Sequence, residues 1–104
     1  MIEKVYEFYT GSEKTIEKVI MDENMHLMHM VLNNGEALPE HDTNANVYMT
    51  VARGTLSIAL AGGEVRVYSA GHVLNIPEGI KMNAQNLHSD TLELFVIKAP
   101  APKK

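Results

Sequence analysis

The stretch T-L-S-I-A-L-A-G-G-E-V-R-V-Y-S, from Thr55 to Ser69, alternates side chains with a period of two on both sides of Gly62-Gly63. A period of two is the spacing of one strand face, and a glycine pair reaches positive φ without steric cost, so the segment reads as a β-hairpin. Outward from it, Val47 to Ala52 alternates as well, with Val47, Met49 and Val51 on one face, and Arg53-Gly54 turns that strand into the hairpin. Downstream, Leu74 to Ile76 and Lys81 to Asn86 flank Pro77-Glu78-Gly79, and Thr91 to Lys98 is a long β-branched and aromatic run that stops before Pro100. Upstream, Val5 to Tyr9, Thr15 to Met21 and Met25 to Leu32 are strand-like and are separated by Gly11-Ser12 and Asp22-Glu23-Asn24. Ile16, Val19 and Ile20 also fit helical spacing, but the β-branched residues there favour a strand. Eight or nine short strands punctuated by Gly, Pro and Asn predict an all-β fold, closed or double-sheeted. Residues 1–98 form that domain, and residues 99–104 are expected to be a solvated Pro/Lys tail.

The chain has 104 residues, enough for one core and no second. Its net charge of −4 argues against nucleic acid as a partner, which would call for a basic surface. There is no cysteine, which removes disulfides, thiolate nucleophiles and thiolate metal sites together. The opening Met1 to Val5 lacks a charged-then-apolar leader, and no apolar run approaches the roughly 18 residues of a membrane span. The expectation is a cytoplasmic protein with no membrane partner. No phosphate-cradling loop or nucleophile elbow occurs either, since Gly62-Gly63 is not followed by Lys-Ser or Lys-Thr.

Two turn-centred segments resemble the paired motifs of the cupin superfamily. The first family motif is Gly, five residues, His-x-His, three or four residues, Glu, six residues, Gly. Gly35, His41 and Gly54 match it, while Thr43 stands at the second His and Val47 at the Glu. The second motif is Gly, five residues, Pro-x-Gly, two residues, His, three residues, Asn. Gly71, Pro77, Gly79 and Asn86 match in register, and Met82 replaces the His. The resemblance implies a single-domain cupin jelly-roll barrel, a double-stranded β-helix, with degenerate metal motifs.

In similar cupins the two His and the Glu of the first motif and the His of the second hold a divalent metal inside the barrel. Only His41 remains of those four. No metal cofactor is expected from this set; if a divalent metal binds, His41 with His26 is the candidate pair. By strand parity and the resemblance, Met28, Met30, Thr43, Val47, Met49, Met82 and Leu94 converge with His41 on one mostly apolar cavity. Four methionines beside an imidazole could suit Cu(I), but methionine is foremost an adaptable filler of cores and apolar pockets. Asn44 and Asn46 lie at the expected mouth, either bonding a ligand or satisfying loop backbone. Lys81 points away by parity, and His72 and His88, beside turns, are expected in solvent. The opposite face of the sheet gathers Leu27, His29, Val31, Tyr48 and Thr50, apolar enough to predict a homodimer.

The reading is a barrel that binds a small, partly apolar molecule with His41 as polar anchor. The alternatives are a metal-dependent enzyme with a rearranged site around His41, and a structural or interaction protein whose barrel is filled by side chains. No motif commits the chain to catalysis.

Overall fold

The computed structural model describes residues 1–103; Lys104 lies outside the described residues. Nine strands and no helix occur among them. They are β1 (Thr15–Met21), β2 (His26–Asn33), β3 (His41–Asp42), β4 (Val47–Arg53), β5 (Thr55–Leu60), β6 (Arg66–Ser69), β7 (Val73–Ile76), β8 (Lys81–Gln85) and β9 (Thr91–Lys98). No helix is therefore long and apolar enough to cross a membrane.

The central hairpin forms as expected, with Ser57 opposite Val67 and Ile58 opposite Arg66. Its turn uses positive φ at both Ala61 and Gly62, and the Gly63 amide donates to the Leu60 carbonyl at 2.9 Å. Two positive φ angles in succession match the right-handed twist of the flanking strands. Gly54 is needed for space as well as for φ: it sits at φ +77°, and a Cβ there would lie 2.2 Å from the Thr91 carbonyl oxygen.

All pairings are antiparallel and build two sheets, β1-β2-β9-β4-β7 and β3-β8-β5-β6. Their facing sides hold the core, in which Leu32, Met49, Leu56, Leu92 and Leu94 are wholly enclosed. Alternation carries this out: in β4, Val47, Met49 and Val51 are buried while Tyr48 and Ala52 are exposed. Bulges interrupt the ladders between Lys18 and Ile20 and between Val51 and Arg53.

Two expectations change. Val5 to Tyr9 forms no strand but lies over the outer face of the first sheet, where Phe8 packs on His29 and Phe95 with ring centroids 4.9 and 5.0 Å apart. His29 is fully enclosed beneath that segment within a single chain, while Tyr48 of the outward set stays exposed. The tail is not freely solvated. The Ala99 amide donates to the Asn46 carbonyl, and residues 100–103 line a depression with Asn44, Ala45, Asn46 and Glu78.

Candidate functional site

At one opening between the sheets lies a cavity of about 380 Å³, within the range of small-molecule sites. Met28 and Met30 of β2, Val47 of β4, Met82 of β8 and Val96 of β9 supply its apolar walls, with Ile16, Leu38 and Pro39 at the sides. Those of β2, β4 and β9 share one face of the first sheet, as the register shows: Met28 faces Val96, Val96 faces Met49 and Val47 faces Lys98, while Met82 looks in from the second sheet. The polar groups are few. They are His41, Thr43, Asn44 and Lys98.

His41 and Met82 stand directly opposite in the short β3–β8 pairing. The His41 Nδ1 lies 2.8 Å from the Pro39 carbonyl oxygen; a carbonyl only accepts, so Nδ1 carries the proton and donates. The exposed ring thus leaves Nε2 at the rim, with no protein partner among the described residues. Thr43 is buried and committed: its hydroxyl donates to the Pro77 carbonyl at 2.7 Å and accepts from the Ile80 amide at 3.0 Å. It fastens the Pro77-to-Gly79 turn, whose Gly79 amide also bonds the Thr43 carbonyl. The two asparagines divide the roles set out for them: Asn44 lines the cavity, whereas the Asn46 carbonyl oxygens accept from Asn75 and Ala99.

Met49 and Leu94 do not reach the cavity wall; both are fully enclosed in the core next to it. Parity assigns them to the interior face correctly, but depth along a strand decides which members of a face meet solvent. His26 stands opposite Lys98 at the sheet end and is not among the lining residues. Lys81 is exposed and pairs with Glu40 at 3.5 Å, away from the cavity. His72 and His88 are exposed. Lys98 is the charged lining residue that motif and composition do not single out. Parity with Leu94 and Val96 on β9 is the signal that could have found it, since every second residue of a strand faces one way. Burial, with the positive Lys18 nearby, holds its ammonium below the ordinary lysine range.

A second depression of similar size lies at the hairpin turn, between Ile58, Leu60, Tyr68 and the charged Glu64 and Arg66. None of its residues belongs to the cavity that the two turn-centred motifs frame.

An uncharacterised protein of Methanocaldococcus jannaschii is 41% identical to this chain over an alignment of 105 positions that spans all of this chain and 90% of that one. The crystal structure of an RmlC-like cupin family protein with a double-stranded β-helix fold, from the same organism, matches with a TM-score of 0.95 at 40% identity, over 98% of this chain and 94% of that chain. The chain belongs to the cupin family. More distant structures share the fold. An uncharacterised double-stranded β-helix protein of Klebsiella pneumoniae has a TM-score of 0.78 at 16% identity, over 93% of this chain and 90% of that chain. A cupin superfamily protein of Desulfitobacterium hafniense has 0.75 at 10%, over 88% and 82%. No family model matches the chain.

The metal that many cupins hold finds a poor donor set here. Of the four family positions, His41 offers one imidazole nitrogen, the Thr43 hydroxyl is already engaged on both sides, Val47 has no donor and Met82 offers a soft thioether. Among the described residues no group of three or more His, Asp or Glu side chains comes together to supplement them. These residues do not fit a divalent first-row metal.

Proposed function

We propose that this cupin binds a small, partly apolar molecule in the cavity between its sheets, with His41 as the polar anchor. One observation supports the reading above the rest: the cavity has largely apolar walls and a rim where His41 Nε2 and the Asn44 amide have no protein partner among the described residues. Apolar walls supply affinity through burial, and a few convergent polar groups set orientation. A filled barrel would close that volume with side chains. Binding rather than acid–base work is the chemistry this lining favours, since most of its side chains are nonionisable.

Binding is tested by screening small organic fragments against protein carrying ¹³C-labelled methionine methyl groups. Several fragments are expected to shift the Met28, Met30 and Met82 signals saturably and together. A Met28→Trp variant, which inserts an indole into the cavity, is expected to weaken them by tenfold or more. If no fragment moves these signals, the filled-barrel reading replaces this one.

A further inference from the structure

Lys98 is an unusual choice for the inner face of a barrel. It continues the row of Leu94 and Val96, both buried, and stands opposite Val47 on one neighbouring strand and His26 on the other. A lysine on such a face needs a counter-charge or water, because an ammonium next to apolar walls loses hydration. Among the described residues no carboxylate pairs with it. The acidic residues that form ion pairs are Glu17, Glu36, Glu40 and Glu93, and their partners are His29, Lys14, Lys81 and Arg53. Lys18 adds positive charge nearby, on the strand position opposite Met28. His26 and His41 supply the other titratable rings of this end of the barrel. In a protein of net charge −4, the cavity lining holds cationic and neutral side chains and no carboxylate.

We propose that the cavity takes a small organic monoanion, its carboxylate held by Lys98 at the rim and its apolar body laid against Met28, Met30 and Met82. The proposal rests on the reading of the cavity as a ligand site and names the class of ligand. A carboxylate matches the donors available: one ammonium and the Asn44 amide. A phosphate ester would bring more charge and more acceptor oxygens than these donors match. The methionine thioethers adapt to the shape of the body and add polarizable contact.

The labelled methionine methyl groups report the test. The protein is titrated with hexanoate, with 1-hexanol and with hexyl phosphate. Hexanoate is expected to shift the Met28, Met30 and Met82 signals and to bind about tenfold tighter than 1-hexanol, as a charge-assisted hydrogen bond provides. Lys98→Met is expected to remove that preference while 1-hexanol still binds, and Lys98→Arg to retain it; the methyl spectrum shows that each variant is folded. Equal affinity for acid and alcohol, or a preference that survives in Lys98→Met, overturns the anion inference and leaves the cavity as a neutral-ligand site. Tighter binding of hexyl phosphate than of hexanoate overturns the assignment to carboxylates. If neither hexanoate nor 1-hexanol moves the signals, both the inference and the ligand-site reading for this class of molecule fail.

Discussion

His29 is fully buried on the outer side of the first sheet, and each of its ring nitrogens faces a carboxylate. Nδ1 lies 2.7 Å from Glu17 and Nε2 2.6 Å from Glu93, while Arg53 donates to the other oxygen of Glu93 at 2.8 Å. Each ring nitrogen is thus tied to a carboxylate oxygen, and the ring is clamped between two acidic side chains. The Tyr9 amide and His29 donate to Glu17 and hold its carboxyl below the ordinary value. For Glu93, burial pushes upward most strongly, but the hydrogen bonds and charges of His29 and Arg53 together outweigh it and leave the carboxyl lowered. A carboxyl lowered in the folded chain binds fewer protons there than when unfolded. Its stabilisation is complete above the ordinary carboxylate value near 4.5 and is lost as pH falls through the lowered native values. Glu93→Gln is therefore expected to lose about 2–3 kcal/mol at neutral pH in urea unfolding. Its deficit against the parent should shrink steadily below about pH 4. A deficit that is constant with pH would show that the network is not ionised as described. Strand parity places His29 on the outer face, where it is found. Its partners, 12 and 64 residues away in sequence, lie beyond any local pattern.

Elements are legible where alternation and turn chemistry agree. The hairpin and the strands from Thr15, Val47, Lys81 and Thr91 stand where period-two patterning and Gly or Pro punctuation put them. Val5 to Tyr9 has the same composition yet pairs with no sheet edge. Phe8 instead packs across the sheet face, tilted to His29 and edge-on to Phe95. The two-residue strand β3 is invisible for the opposite reason, being too short to show any period; it exists through its pairing with β8. The turns carry separable costs. Gly62 has positive φ and open space around it, so Gly62→Ala bears only the conformational penalty of about 1–2 kcal/mol. Gly54 combines positive φ with a backbone carbonyl 2.2 Å from where a Cβ would stand, which no side-chain movement relieves. Gly54→Ala is expected to cost at least twice as much as Gly62→Ala in urea unfolding. Equal costs would mean that β9 can shift away at its Thr91 end.

At the scale of the whole molecule, the sheets bring together residues far apart in sequence that the family uses for metal, but with most of the donors exchanged. His41, Thr43, Val47 and Met82 all line one cavity, so the scaffold still points four side chains at a common volume. The two motifs make this much legible in the chain itself, since framework glycines, Pro77 and Asn86 fix the turns. Asn86 is itself buried and bridges the Leu32 carbonyl and the Ser89 amide, a role independent of metal. What the motifs do not carry is Lys98, which belongs to a strand outside them. The exchange of donors is reversible in principle. A variant combining Thr43→His, Val47→Glu and Met82→His restores three imidazoles and one carboxylate around the cavity, a set suited to nickel, manganese, iron or zinc. It also removes the two Thr43 hydrogen bonds that fasten the turn at Pro77, at a cost of about 1 kcal/mol each and several degrees in Tm. Lowered stability with a native fold is thus part of the expected result, and metal should return some of it because binding favours the folded chain. Calorimetry should find one divalent ion per chain in the triple variant, and elemental analysis should find no stoichiometric metal in the parent. A folded triple variant that binds none would show that the four side chains do not share a point. One equivalent of metal in the parent that disappears in His41→Ala would replace the binding reading with that of a metal-dependent enzyme, because a lone imidazole could hold it only with donors drawn from elsewhere in the cavity.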